Sequence, residues 1–166
     1  MPHGAAGTDM LNRLRRSVPI NRLFHLYWRF ARGLTLGVRG VVLDGGGRVF
    51  LIKHTYADGW QLPGGGVEAG ETLLEALARE LREEGNIELT GPPLLHGVYF
   101  HPAYSNRDHV TIYVVRHFRQ PSMPVPNHEI AAHGFFPADA LPPDTTRGTR
   151  ARIAEALGGA PASERW

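Results

Sequence analysis

The chain has 166 residues, of which 42% are hydrophobic and 20% charged, with a net charge of +2 and no cysteine. These values are typical of one compact domain, and the lack of cysteine excludes disulfides, thiolate metal sites and a cysteine nucleophile. All but one of the 18 basic residues are arginines, and because arginine does not titrate near neutrality, the basic balance is weak evidence for a nucleic-acid partner.

The first residues carry no pattern of a secretory signal. No stretch approaches the roughly 20 consecutive apolar residues that a membrane span requires. We therefore expect a cytoplasmic protein without a membrane partner.

Residues 1–33 are predicted to form a basic helical extension. Within residues 21–32, apolar side chains recur at helical spacing, namely Leu23, Leu26, Tyr27 and Phe30. We interpret this helix as one that docks on the domain or on a partner chain, which leaves a homodimer open. Contact with phosphate or nucleic acid is the less favoured alternative, and a membrane-surface helix comes last.

After residue 33, short apolar and β-branched segments predict a β-sheet. The predicted strands are residues 36–43, 49–54, 60–62, 95–100, 109–118 and 134–136. The first two flank a turn, Asp44-Gly45-Gly46-Gly47, and are predicted to form a hairpin. Residues 120–127 contain three prolines and are predicted to be a loop.

Two helices are predicted beside this sheet. The first covers residues 72–84, with Glu71 able to cap its start, and the second begins at Asp144 as its cap and runs to residue 157. Strands on both sides of the first helix indicate a mixed sheet flanked by helices. We expect one domain over residues 34–160 and a tail over residues 161–166.

The end of the first predicted helix concentrates negative charge. Glu80, Glu83 and Glu84 share one sector of the last turn, where the helix dipole disfavours anions by about 0.3–1 kcal/mol each. Arg79 can reach Glu83 or Glu75, but one guanidinium does not neutralise three carboxylates. A hard divalent ion with oxygen ligands, such as Mg²⁺, does so together with waters and phosphate. The alternative is a solvated acidic helix end.

A glycine-rich turn, Pro63-Gly64-Gly65-Gly66, precedes the same helix. Glycine permits close approach of the backbone and leaves its carbonyl unobstructed as a ligand. No Gly-Lys-Ser or Gly-Lys-Thr follows these glycines, which excludes a Walker phosphate loop.

Together these residues resemble the Nudix box. Gly65, five residues, Glu71, seven residues and then Arg-Glu-Leu-Arg-Glu-Glu at 79–84 match its pattern, as does Ile87. One position departs, because Asn86 stands where the box has glycine. Asparagine is the residue that best tolerates left-handed backbone after glycine, so we expect the turn to be kept.

The resemblance implies a Nudix-type α/β/α sandwich with a mixed sheet. It also implies a Mg²⁺-dependent hydrolase, with Mn²⁺ as a substitute, that cleaves a pyrophosphate bond. The partner would be a small nucleoside diphosphate linked to another moiety: a nucleotide sugar, a dinucleoside polyphosphate or an NTP-like molecule. One alternative is a Nudix-fold module that binds a nucleotide or RNA without cleaving it. Another is a nucleic-acid-associated enzyme that uses the basic N-terminal helix, such as an RNA 5′-end hydrolase.

The same resemblance implies roles for individual residues. Four of them would hold the metal: the Gly64 carbonyl, Glu80, Glu83 and Glu84. Glu83 would bind the metal or activate water, and Arg79 would orient a neighbouring glutamate. Gly65 and Glu71 would support the loop, with a second metal as another use of Glu71.

Three candidates lie outside the acidic cluster. Glu129 is a candidate for contact with metal or water, against the alternative of an ordinary loop carboxylate. Trp60 and Tyr104, like Tyr56, are candidates for stacking on a base, against the alternative of core packing. Pro102 and Tyr104 occupy the two positions past the box that the family associates with ADP-ribose and with dinucleoside polyphosphates. Because both are present, this marker does not select a substrate.

Overall fold

The computed structural model describes residues 33–103, 105–159 and 161–166. The predicted N-terminal helix and Tyr104 lie outside the described residues. No helix in the described part is long and apolar enough to cross a membrane.

The described part contains eight strands and two helices. The strands are β1 (Thr35–Val42), β2 (Val49–His54), β3 (Trp60–Gln61), β4 (Glu88–Leu89), β5 (Leu94–Phe100), β6 (Asp108–Val115), β7 (Phe118–Arg119) and β8 (Ile130–Phe136). Helix α1 (Leu73–Gly85) lies between β3 and β4 in the chain, and helix α2 (Arg147–Gly158) follows β8.

The strands pair in a mixed pattern. Strand β1 runs parallel to β6, which is antiparallel to β5, so that the order is β1-β6-β5. A second group has the order β3-β2-β8 and is antiparallel, and β4 pairs with β7. The predicted mixed pairing is confirmed by the parallel β1–β6 ladder.

Two apolar layers separate the sheets from the helices. One layer joins α1 through Leu77 and Leu81 to Val42 of β1, and the other joins α2 through Ile153 to Val41 of the same strand. Successive strand residues point to opposite faces, so β1 is buried on both sides. The result is the predicted α/β/α sandwich.

The predicted hairpin between β1 and β2 is wrong beyond its turn. Asp44 Oδ1 accepts hydrogen bonds from the Gly46 and Arg48 N–H groups, each 2.9 Å long, but only one bridge, between Leu43 and Val49, follows. The reason is that the free edge of β1 is bonded by the glycine-rich loop at residues 63–67. That loop leaves no edge for β2, which pairs with β3 and β8 instead.

The predicted helix caps also need correction. Thr72, not Glu71, caps α1: its hydroxyl accepts the Glu75 N–H at 3.2 Å while the Glu75 carboxylate accepts the Thr72 N–H at 2.8 Å. Thr146, not Asp144, caps α2, because Asp144 lies two residues too early and its carboxylate binds Lys53 Nζ at 2.7 Å.

The turn after α1 confirms the expectation for Asn86. This residue has φ 51° and ψ 35°, the left-handed conformation, and its N–H donates to the Arg82 carbonyl at 3.0 Å. Its side-chain amide donates to the hydroxyl and carbonyl of Ser122 at 2.8 and 3.1 Å. Asparagine therefore replaces glycine here without loss of the turn.

Substitutions at Asn86 separate backbone conformation from side-chain contacts. Asn86→Ala is expected to lower the free energy of unfolding by about 1–2 kcal/mol, because alanine tolerates left-handed φ poorly. The free energy of unfolding of Asn86→Gly is expected to stay within about 1 kcal/mol of the wild type. Glycine adopts the left-handed conformation without strain, which offsets the loss of the exposed hydrogen bonds to Ser122. Urea denaturation measures the free energy of unfolding of both variants. Equal losses in the two would show that the contact with Ser122, and not the backbone conformation, accounts for the stability that Asn86 provides.

Candidate active site

The glycine-rich loop is fastened to β1 on both sides of Gly64. The Gly40 N–H donates to the Pro63 carbonyl and the Val38 N–H to the Gly65 carbonyl, each at 2.9 Å. Gly64 has φ +134°, and a Cβ there would overlap the Val38 carbonyl oxygen, so only glycine fits. Within the described residues no backbone N–H donates to the Gly64 carbonyl, which leaves this oxygen available to a ligand.

The Glu84 carboxylate is bound by this loop. Its Oε2 accepts the Gly64 N–H at 2.6 Å, and its side chain is only 11% exposed. Burial raises the pKa of Glu84 to about 8, against the opposing effects of the Gly64 bond and the Arg39 charge. His54 Nε2 lies 3.8 Å from Glu84 Oε1, but burial lowers the pKa of His54 and therefore favours its neutral form.

Arg79 connects the helix to the loop. Its Nη1 donates to Glu80 Oε1 at 2.6 Å, its Nε and Nη2 donate to the two Glu71 oxygens at 2.8 and 3.0 Å, and Nη2 also donates to the Gly66 carbonyl at 3.0 Å. These bonds hold Glu80 in one orientation and lower the pKa of Glu71 to about 2, mainly through the Arg79 hydrogen bond.

Arg79 has one predicted partner and one that was not predicted. Of the two partners within its predicted reach, Glu83 forms an ion pair at 3.6 Å, and the bidentate partner is Glu71. Glu75 is engaged in the capping box, and Glu83 is 60% exposed. Arg79 thus fixes the position of Glu80, as expected of an orienting residue.

A polar pocket of about 270 Å³ lies between α1, the loop and the segment before β8. Seven of the predicted residues line it, namely Tyr56, Gly64, Gly65, Glu80, Glu83, Glu84 and Glu129. Glu129 reaches the pocket wall opposite the box, with its N–H and that of Ile130 bonded to Asn127 Oδ1 at 2.8 Å. The structure therefore brings the loop candidate next to the box candidates.

Two aromatic candidates have different environments. Trp60 packs edge-on against Phe136 at 4.9 Å in the core layer of α2 and is not part of the pocket lining. Tyr56 lines the pocket, and its ring stacks on His54 with 4.8 Å between centroids and 28° between planes. The aromatic face at this pocket is therefore that of Tyr56.

Sequence reasoning missed Arg39, His54 and Asn127. Arg39 lines the pocket and its Nη1 donates to the Leu62 carbonyl at 2.6 Å. Its signal in the sequence is a charged residue inside an otherwise apolar strand, and His54 ends a similar apolar run. A polar residue in an apolar strand indicates a functional or strained position, but the sequence does not show which other residues lie next to it.

The carboxylate and carbonyl oxygens at the pocket are ligands of the kind that a hard divalent cation prefers. Among the described residues no three acidic or histidine side chains converge as a ready-made metal cage. Mg²⁺, however, is typically held by one or two carboxylates and completed by waters and substrate phosphate, and carboxylate, carbonyl and water also suit Mn²⁺. The buried Glu84 carboxylate, whose pKa burial raises, is a group that a neighbouring cation would stabilise in its ionised form.

Comparison with known proteins identifies the family of this chain. The profile of the NUDIX domain matches residues 33–157. The chain belongs to the Nudix family. A crystal structure of a MutT Nudix hydrolase from Burkholderia pseudomallei is similar, with a TM-score of 0.65 and 29% identity over 74% of this chain and 98% of that one.

Curated relatives match shorter stretches of this Nudix chain. An RNA pyrophosphohydrolase of Halorhodospira halophila is 57% identical over 44 residues, 26% of this chain and 24% of that protein. Another, from Hydrogenovibrio crunogenus, is 33% identical over 91 residues, 55% of this chain and 53% of that protein. The matches therefore span about half or less of these relatives.

Alanine at the two loop glycines is expected to change two different properties: stability at Gly64 and metal affinity at Gly65. Gly64→Ala should lower the free energy of unfolding by at least about 2 kcal/mol, because φ is positive and the backbone of β1 blocks the Cβ. In Gly65→Ala the nearest atoms to the Cβ would be those of the Glu80 carboxylate group, with Oε1 at 2.5 Å, so this side chain would have to shift against its hydrogen bond from Arg79. The stability of this variant should stay within about 1 kcal/mol while Mn²⁺ affinity falls about tenfold.

Thermal denaturation and calorimetric Mn²⁺ titration measure these two effects. Wild-type Mn²⁺ affinity in Gly65→Ala would contradict the assignment of Glu80 as a ligand.

The raised pKa of Glu84 predicts proton release on metal binding. Below pH 8 the folded, metal-free protein holds a proton on Glu84, with a pKa of about 8, and binding must displace it. Calorimetry at pH 7 in buffers of different ionisation enthalpy should show release of about one proton, and much less at pH 9. Equal release at both pH values would contradict the prediction.

The same pKa affects stability without metal. The folded state keeps a proton that the unfolded state loses near pH 4.5. The contribution of Glu84 to the free energy of unfolding is therefore fully present below about pH 4.5 and is lost as pH rises through about 8. The free energy of unfolding is measured by denaturation in EDTA as a function of pH. In Glu84→Gln it should decline less between about pH 4.5 and pH 8 than in the wild type.

Proposed function

We propose that this chain is a metal-dependent pyrophosphohydrolase that cleaves the P–O–P bond of a nucleoside diphosphate linked to another moiety. One observation carries the proposal: Glu80, held by Arg79, and Glu84, held by the Gly64 N–H, face the same polar pocket. Carboxylates held in this way on a loop and a helix are preorganised for a cation and for the phosphate it accompanies.

The ligands in this proposal are Glu80, Glu84 and the Gly64 carbonyl, with Glu83 completing the set. Mg²⁺ or Mn²⁺ supplies Lewis acidity when bound, which neutralises diphosphate charge and lowers the pKa of the attacking water. Glu83 is 60% exposed and 3.6 Å from Arg79 Nη1, so its carboxylate can turn to accept a proton from water. Glu129, on the opposite wall, is the second candidate for that contact.

Other pocket residues suit the remaining parts of the substrate. Arg39 places a guanidinium at the pocket, where its donors suit phosphate oxygens. The ring of Tyr56, supported by His54, offers a flat apolar face for a nucleobase. Both residues bind and orient substrate in this proposal rather than take part in bond cleavage.

Substrate identity is the finer part of the proposal. Nucleotide sugars, dinucleoside polyphosphates and NTP-like molecules all contain the required bond. The relatives named RNA pyrophosphohydrolase add RNA with a 5′ pyrophosphate group as a second candidate.

The acidic cluster is intact, which favours catalysis over a binding module. Cytoplasmic location and a homodimer stay predictions.

Substitution of the box glutamates tests the activity. Glu83→Gln and Glu84→Gln are expected to lower kcat by at least about 100-fold without unfolding the protein. Glu88→Gln is the matched control, because Glu88 pairs with Arg119 on the β4–β7 ladder and should keep wild-type kcat. The assay is a panel of nucleotide pyrophosphates and 5′-triphosphate RNA, with and without Mg²⁺, and product identification by mass spectrometry.

Two results would contradict the proposal. Wild-type kcat in both glutamate variants would show that the assigned roles are wrong. Saturable nucleotide binding without turnover in either Mg²⁺ or Mn²⁺ would show that the chain is a binding module.

A further inference from the structure

A second pocket, of about 490 Å³, lies between the first turns of α2 and residues 163–166. Three arginines and an indole form most of its wall: Arg147, Arg152, Arg165 and Trp166. It shares no lining residue with the box pocket. No acidic side chain is among the described residues that line it.

The wall of this arginine pocket is held in place by the sheet. The Phe100 N–H donates to the Glu164 carbonyl at 2.9 Å, and the Trp166 N–H donates to the Phe100 carbonyl at 3.0 Å. The indole of Trp166 packs edge-on against Tyr99 and closely over Gly148, where a Cβ would overlap it. Residues 164–166 thus lie alongside the end of β5, in a parallel bridge between Arg165 and Phe100, and close one side of the pocket.

Arg152 is buried at the base of the pocket, with only 3% of its side chain exposed. Its guanidinium lies 4.0 Å above the Tyr99 ring, Nη1 donates to the Arg165 carbonyl at 2.9 Å and Nη2 donates to Glu155 at 2.7 Å. Its Nε has no acceptor among the described residues. A buried donor without an acceptor is unfavourable, so Arg152 is a buried cation beside the pocket whose hydrogen-bonding capacity is not fully used by the described residues.

The other two arginines add uncompensated charge. Arg147 and Arg165 are exposed, and neither forms an ion pair with any residue that the structure describes. Glu155 balances Arg152 alone. The first turn of α2 adds the positive end of its dipole next to Arg147. The Arg165 guanidinium lies 5.3 Å from the centre of the Phe100 ring, and an anion in the pocket would therefore offset the charges of Arg147 and Arg165, which Glu155 does not balance.

We propose that this arginine pocket binds the phosphate group of a phosphorylated ligand, independently of the box pocket. Guanidinium donors match phosphate oxygens in pairs. The volume exceeds that of one phosphate, and the Trp166 indole provides an apolar wall for the organic part of the ligand. The phosphate can belong to a small molecule or to an RNA strand, and the experiment distinguishes the two.

Binding is measured on the full chain in EDTA, so that no divalent metal supports the box pocket. The probes are inorganic pyrophosphate and a 5′-hydroxyl RNA hexamer, and the readout is the indole N–H resonance of Trp166, assigned with Trp166→Phe. We expect a saturable shift of this resonance and none at Trp60. Tighter binding of RNA assigns the phosphate to nucleic acid, whereas tighter binding of pyrophosphate assigns it to a small ligand.

Paired variants separate the pocket from general charge attraction. Arg147→Gln with Arg165→Gln should weaken binding at least about tenfold. Arg82→Gln with Arg119→Gln removes the same charge from exposed positions on α1 and β7 and should change affinity less than about twofold at physiological salt.

A second pair guards against misfolding of the arginine variant. Ala151→Glu places a carboxylate in the wall of the arginine pocket, whereas Ala154→Glu places it nearly one turn further along the same helix, in the lining of a different pocket. Only the first should abolish binding. Absence of a saturable Trp166 shift, or equal weakening by the two members of either pair, would overturn the proposal.

Discussion

The hydrogen bonds between β1 and the glycine-rich loop determine where each group of the candidate site lies. Because Val38 and Gly40 donate to the carbonyls on either side of Gly64, the Gly64 N–H faces Glu84. The same strand packs against α1 through Val42, so the helix and the loop are positioned by one element. The consequence for the fold is that β1 has no edge left for β2.

The acidic cluster is stabilised in three different ways. Glu80 is paired with Arg79, Glu83 is exposed to solvent, and Glu84 is buried against the Gly64 N–H, where burial raises its pKa. In the sequence the three carboxylates are indistinguishable charges on one helix end. Glu84 is the buried member of the cluster, where burial raises the pKa and a neighbouring cation would favour the ionised carboxylate.

Local patterns predicted local features, and contacts distant in sequence explain the failures. The periodicity of residues 72–84 and the left-handed tolerance of Asn86 involve only near neighbours, and the structure confirms both. The hairpin and the Asp144 cap failed because their residues bind the loop and Lys53, far away in the chain. Arg39 was missed for the same reason, since only the folded sheet brings it to the pocket.

The small net charge of +2 conceals two regions of opposite sign. The box pocket is lined by four glutamates and one arginine, Arg39, so a bound cation would supply most of the positive charge that a diphosphate needs there, whereas the arginine pocket is lined by guanidinium groups. In the two proposals, anion binding therefore responds differently to removal of divalent metal, because it weakens at the box pocket and is kept at the arginine pocket.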